Sequence, residues 1–445
     1  MKSLTLALMV AVAVAGGGGL FASPVAVAED DAKAQATTAL ADKAKPAGKI
    51  NSDGQSAQTG ETCQKYLPTL GAMVQVPCES ATKPDTSVDE GEICRKYLPM
   101  IGTMAEVPCE PAAKAETTDV SAPEQECDRL TGEGIVFDKL SRDGGAAVTA
   151  CRAAVALYPE TRRFKFQLAR ALHASGSYKE ALELYRPLAE TGHFKAMNNL
   201  GVMYERAQAV PKDDAEAVRW FRKSAEQDYA RAQFNLGRKY EWGQGVRQDF
   251  AEAANWYRKA ADQSYAVAQN FLGRLYFNGR GVSQDYAEAV KWFRKGAEQG
   301  FAGAQTSLGF SYFNGRGVPK DYAQAVNWYS KAADQGFAPA QFNLGLMNAN
   351  GQGVPKNDSE AAKWFHRAAE QGFAVAQNDL GLMYVKGRGV REDKVQAHKW
   401  LNLAAARNAS SAVARDNLAK GMTSVQIAEA QRLAREWKPT PEKPP

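Results

Sequence analysis

A Leu-Gly pair returns every 36 residues, six times without slippage: Leu200-Gly201, Leu236-Gly237, Leu272-Gly273, Leu308-Gly309, Leu344-Gly345 and Leu380-Gly381. A Trp keeps the same step at Trp220, Trp256, Trp292, Trp328, Trp364 and Trp400. A strict period of this length means that each unit is one supersecondary element, too small to bury its own apolar face, and stacking on neighbours supplies the core. The chain is therefore committed to an elongated array, and its 445 residues do not convert into a domain count in the usual way.

The unit from Ala232 to Tyr265 serves as the type. Ala232, Leu236, Gly237 and Tyr240 fall at helical spacing and predict a first helix over about 231–242. A glycine inside a helix costs about 1 kcal/mol against alanine, so its return in six units predicts close approach of another backbone. The loop Gly243-Gln244-Gly245-Val246 recurs at Gly279-x-Gly281, Gly315-x-Gly317, Gly351-x-Gly353 and Gly387-x-Gly389, and its first glycine suits the positive φ that ends a helix. No strand precedes this loop and no Gly-Lys-Ser/Thr follows, which argues against a phosphate loop. A second helix opens on a capping-box pattern, Asp249 with Glu252, repeated at Asp213/Glu216, Asp285/Glu288, Asp321/Gln324, Asn357/Glu360 and Asp393/Gln396. Ala253, Trp256, Tyr257 and Ala260 then face inward, each buried Trp contributing a few kcal/mol, of order 2–3. Lys223, Lys259, Lys295 and Lys331 each precede an acid by three, as in Lys223/Glu226, which predicts exposed ion pairs worth a few tenths of a kcal/mol. Two departures stand out: the first unit carries Ala207 and Ala209 in place of the loop glycines, and Asn348 replaces the usual Tyr.

The composite pattern A-x-x-x-L-G-x-x-Y, G-x-G-V, D-[YF]-x-E-A-x-x-W-[YF]-x-K-A-A-x-Q-G-[FY]-A resembles the Sel1-like repeat family, related to the tetratricopeptide repeats, over about residues 196 to 407. The resemblance implies an all-α fold, a right-handed solenoid of stacked antiparallel helix pairs with the first helices lining the concave side. It also implies adaptor work between proteins, often in exported bacterial members. On that reading the variable first-helix positions are candidate partner contacts: Asn198, Phe234, Asn270, Thr306, Phe342 and Asn378 at one site, Arg238, Arg274, Phe310 and Leu346 at another. The ladder Gln233, Gln269, Gln305, Gln341 and Gln377 is expected to face the same groove. The competing expectation is that these side chains are solvated or fill gaps between repeats. Penicillin binding in cysteine-rich relatives goes with a Cys pair in each repeat, and the six repeats here carry no Cys.

The flanks read differently. Met1-Lys2, the apolar run Leu4 to Ala15 and Ala26-Val27-Ala28 form a secretory signal over 1–28, cleaved before Glu29, which predicts a periplasmic protein with no membrane span once the signal is removed. Residues 29–61 carry almost no large apolar side chains and are expected to be a disordered linker. Two copies of C-x-K-Y-L-P-x-x-G-x-M-x-x-V-P-C follow, in modules 62–80 and 93–110, 31 residues apart. Six cysteines allow 15 pairings; the duplication selects Cys63–Cys78 and Cys94–Cys109, leaving Cys127 for Cys151. The two loops are either recognition elements presenting Lys65-Tyr66-Leu67 and Lys96-Tyr97-Leu98 or stapled spacers. A second linker spans 111–126, an N-terminal cap with an irregular first repeat 127–195, the six repeats 196–409, capping helices 410–437 and a disordered tail 438–445.

A net charge of +5 gives no basic face of the kind nucleic acid requires, so no nucleic acid is expected. His173, His193, His366 and His398 are scattered, no nucleophile motif occurs, and neither a metal site nor a cofactor is expected. The sequence thus points away from catalysis and toward a periplasmic scaffold or regulator that holds a protein or peptide in its groove. The alternatives are a cell-wall-acting enzyme, or a binder of cell-wall glycan through Phe234, Phe310 and Phe342.

Overall fold

The computed structural model describes the backbone of residues 62–67, 72–77, 93–98 and 103–108, and the full structure of 122–131 and 144–440. The signal segment, the first linker, Cys78, Cys109 and residues 441–445 lie outside the described residues, and with them the pairings Cys63–Cys78 and Cys94–Cys109. The chain divides into two units. The smaller holds two antiparallel hairpins, β1 (Thr62–Leu67) with β2 (Ala72–Pro77) and β3 (Ile93–Leu98) with β4 (Thr103–Pro108). The copies share one register, Cys63 opposite Val76 and Cys94 opposite Val107, so the sequence duplication is also a structural one.

The larger unit is a stack of helices. A cap of α1 (Pro123–Thr131) and α2 (Gly144–Leu157) precedes the irregular pair α3 (Arg162–Ala174) and α4 (Tyr178–Glu190). The six repeats follow as α5 (Phe194–Glu205) and α6 (Asp214–Ala225), α7 (Ala230–Trp242) and α8 (Phe250–Asp262), α9 (Ala266–Asn278) and α10 (Tyr286–Glu298), α11 (Ala302–Asn314) and α12 (Tyr322–Asp334), α13 (Ala338–Asn350) and α14 (Asp358–Glu370), and α15 (Ala374–Lys386) and α16 (Lys394–Ala405). α17 (Ala409–Ala419) and α18 (Ser424–Glu436) close the array. The Cys127–Cys151 disulfide ties α1 to α2, with both residues fully buried. Helix α1 begins inside the expected linker, and residues 438–440, expected to be disordered, lie against α14: the Thr440 amide donates to the Glu370 carbonyl at 2.8 Å.

Several repeat positions take roles other than those expected. The glycine within each first helix is pressed by a large side chain of its partner helix rather than by backbone, an aromatic ring in the first five repeats and Leu401 in the sixth: a Cβ at Gly237 would lie 2.7 Å from the Tyr257 ring and 3.3 Å from the nearest carbonyl. At the start of α8 Asp249 accepts from the Ala251 and Glu252 amides, but its own amide donates to the Tyr240 carbonyl on α7 at 3.0 Å. That donor is spent, so the return half of the box has nothing to bind; among the described residues the reciprocal box forms at Thr423/Gln426. Lys223, Lys259, Lys295 and Lys331 sit over their own Trp rings, 4.3, 4.0, 4.0 and 4.1 Å from the centroids, rather than reaching the acid three residues on. Trp220, Trp292 and Trp400 are buried; Trp256 and Trp328 are half-buried under these lysines, and Trp364 is half-buried under Arg367.

Repeats are joined by three recurring devices. The second loop glycine lies on the preceding repeat: a Cβ at Gly317 would stand 2.0 Å from the Tyr286 carbonyl oxygen. Gln233, Gln269, Gln305, Gln341 and Gln377 are buried, and each donates to a carbonyl at the end of the previous helix, as Gln269 does to Ala261 at 3.0 Å. Gln263, Gln299, Gln335 and Gln371 then donate to four of those Gln oxygens at 2.7–2.8 Å, so the ladder runs inside the joints and not along a groove. Finally Arg222, Arg258 and Arg294 donate to Tyr240, Tyr276 and Tyr312 of the next repeat. At the following joint the Tyr is Asn348 and the Arg is Ser330, so donor and acceptor are lost together.

Candidate functional site

The structure places nine of the ten expected contact residues at 9% exposure or less, and Arg274 half-buried. Several of them join neighbouring first helices. Asn198 accepts from Asn235 at 2.9 Å, Asn270 from Ser307 at 2.9 Å, and Asn378 from Ser411 at 2.7 Å, each one helix further along. Where that position is aromatic, rings fill the same space: Phe234 meets Phe271 edge-on at 5.1 Å, and Phe342 lies 5.5 Å from both Phe365 and Phe373. Thr306 donates back to the Ala302 carbonyl, Phe310 packs on Phe277, and Leu346 is core. Phe234, Phe310 and Phe342 therefore turn no ring face outward for a sugar. The correction has one cause. The first helices stack so tightly that side chains expected to line a groove lie in the joints, as an α7 buried from Ala232 to Glu241 shows.

Arg238 leads elsewhere. It belongs to the last turn of α7, where the period breaks. Lys239 occupies the position held by Met203, Leu275, Ser311, Met347 and Met383 in the other repeats, and it is 1% exposed. A lysine ammonium buried in this way needs compensation, since desolvation alone would drive off its proton. Its Nζ reaches Glu205 at 2.6 Å and Asp214 at 2.7 Å, both on the preceding repeat. Burial raises the Asp214 carboxyl, but the hydrogen bond and charge of Lys239, with Lys212 beside it, hold it below its ordinary range. Two residues on, Glu241 accepts from the Tyr257 hydroxyl at 2.6 Å. Burial, reinforced by that carboxylate, pushes the Tyr257 phenol well above its usual range.

The turn ends on Trp242, 42% exposed and the only large apolar side chain of the six repeats that stands open. Its counterparts are Arg206, Asn278, Asn314, Asn350 and Lys386. The Arg238 guanidinium stacks 4.7 Å from the Trp242 ring and lies 3.7 Å from Glu205. The result is an indole whose lower face is fixed by an anchored cation and whose other side meets solvent. Lys239, Glu241 and Trp242 were not among the expected site residues. The signal was in the sequence nonetheless, in reading each repeat position down its column for the one unit that disagrees. Among the described residues no three His, Cys, Asp or Glu side chains gather to hold a metal, and no helix is long and apolar enough to cross a membrane.

Stacked helix pairs joined by recurring contacts define a helical-repeat scaffold. A family model described as Sel1 repeat matches residues 194–229, 230–265, 266–301, 302–337, 338–373 and 374–408. A solved Sel1 repeat protein from Oxalobacter formigenes is 33% identical with a TM-score of 0.52, over 54% of this chain and 96% of that one. The chain belongs to the Sel1 repeat family. A protective antigen of uropathogenic Escherichia coli is 25% identical over 71% of this chain and 93% of its own, with a TM-score of 0.38. A Klebsiella pneumoniae protein described as a sel1 repeat protein is 24% identical over 45% and 99%, with a TM-score of 0.33. No curated protein matches. Solenoids of this kind generally mediate protein–protein interaction, and the fold is not typically enzymatic.

Proposed function

We propose that this protein is a periplasmic interaction scaffold whose partner protein or peptide docks on the open end of α7. The observation that carries the reading is Trp242, an exposed indole stacked on an anchored arginine in six repeats that otherwise cover their large apolar groups. Trp and Arg dominate the energetics of protein interfaces, and a pre-stacked pair loses little side-chain freedom on binding. Export is supported by the signal-like segment before Glu29 and by Cys127–Cys151, a bond that persists in an oxidising compartment.

A photocrosslinking side chain at Trp242, with Asn278 and Asn314 as controls, tests the site in living cells. Adducts with one protein from position 242 and none from the controls are the expected outcome. Trp242→Ala should weaken binding of that protein by tenfold or more while leaving the melting temperature unchanged. Equal crosslinking at all three positions would remove the site. Fractionation and the mass of the mature N-terminus test export, and a cytoplasmic, uncleaved chain would sink that part of the reading.

A further inference from the structure

Helix α14 ends on Glu370, and the last carbonyls of a helix lack partners within it. The Glu370 carbonyl is taken by the chain itself, accepting from the Thr440 amide at 2.8 Å and the Thr440 hydroxyl at 3.2 Å. The Glu370 carboxylate accepts from the Trp437 indole at 3.3 Å, and the Trp437 ring meets Trp400 edge-on at 6.3 Å. A Cβ at Gly372 would lie 3.6 Å from the Trp437 ring and 3.8 Å from Pro439, whereas one at Gly300 would meet nothing within 4 Å. The equivalent acids Glu226, Asp262, Glu298 and Asp334 stand exposed. One helix end of the array is thus occupied, by a segment in extended conformation (Trp437 φ −66, ψ 137) with a proline following. An element that merely finished the core would be buried. Here Trp437 is half-buried and Lys438, Pro439 and Thr440 are exposed, so the anchorage is three hydrogen bonds to Glu370 and one ring contact. Contacts of that kind open locally without unfolding what lies beneath. Proline holds such a segment extended in the free state, which lowers the ordering cost of docking.

We propose that the C-terminal end of α14, with Glu370, Gly372 and Trp400, is a docking site for an extended segment carrying an indole followed by a proline. Residues 437–440 are its resident occupant and yield to such a segment in trans. This site is separate from the Trp242 surface, and neither reading depends on the other.

The probe is a fluorescein-labelled peptide of residues 434–445, titrated into the full chain and into a full-chain Trp437→Ala, Thr440→Pro variant that frees the site. The variant should bind the peptide at least tenfold more tightly than the unmodified chain does. It should also bind at least tenfold more tightly than it binds the same peptide with Trp437→Ala. Equal binding by both proteins, or by both peptides, would overturn the proposal and leave residues 437–440 as a cap. Should the variant lose helicity, hydrogen exchange on the unmodified chain decides. The Thr440 amide is expected to exchange at least a hundredfold faster than the inner amides of α14; exchange at one common rate would overturn the proposal.

Discussion

Lys239 is the residue at which this array spends most to be different from its neighbours. Removing one member of a buried charge cluster leaves the rest uncompensated, at about 3–5 kcal/mol. Lys239→Met is therefore expected to destabilise the chain by about 3 kcal/mol in urea unfolding, although methionine is what other repeats carry there. Adding Glu205→Gln and Asp214→Asn should restore most of the loss, since the position then becomes apolar like its counterparts. The sign with pH follows from Asp214, whose carboxyl is depressed in the folded chain. Its contribution is present above the ordinary carboxylate pKa of about 4 and fades as pH falls through the folded value, so the unmodified chain and Lys239→Met should converge in strong acid. Asp379 behaves oppositely. Burial pushes its carboxyl up to about 6 against the hydrogen bond from Asn378. Above its unfolded pKa it costs stability, increasingly as pH rises from about 4 to 6 and at a constant level beyond. Asp379→Asn should accordingly stabilise by about 1–2 kcal/mol at pH 7 and by nothing at pH 4, read from paired thermal melts. Asn already occupies that position at Asn199, Asn235 and Asn343, so the change fits sterically.

Helices and loops were the legible scale. The Leu-Gly step placed the first helix of the type unit within a residue, and the N-cap pattern marked the start of each second helix, because local periodicity and chain geometry determine those features. What they do not determine is the neighbour. The two loop glycines look alike in sequence, yet Gly387 (φ 60) has ordinary contacts at 3.5 Å while Gly389 (φ 65) lies where a Cβ would be 2.0 Å from the Asp358 carbonyl. Gly387→Ala should cost about 1 kcal/mol, the strain of a left-handed backbone. Gly389→Ala adds a clash with the previous repeat and should cost about 3 kcal/mol or more, with the loss of stability measurable by denaturant titration. The same blindness explains the misplaced contacts. Asn198, Asn270 and the glutamines were expected in a groove because they vary or are polar, and whether a polar side chain meets solvent or the next helix is set by how closely helices stack. Conversely, Lys239 and Trp242 were legible only as exceptions to a column, not as members of a motif.

At the scale of the molecule, a stack of this kind is held by joints between neighbours, so stability is a sum of local terms with weak ends. The Cys127–Cys151 bridge lies at one such end and, with the two residues 24 apart, contributes about 3 kcal/mol in the chain-entropy picture. Reduction should raise hydrogen exchange through α1 to α4 while leaving α9 to α14 unchanged; uniform loosening of the whole array would show that its joints transmit instability further than nearest neighbours. The joints themselves carry a consequence for recognition. A partner lying along a stack whose units repeat so closely could shift by one unit at little loss, since the cation-covered Trp rings recur in all six repeats. The misfit turn of Arg238, Lys239, Glu241 and Trp242 occurs once, near one end. On the proposed reading it is the zero mark on a ruler: a ligand fixed there has its alignment with the later units decided, and without it the same ligand would be free to slip.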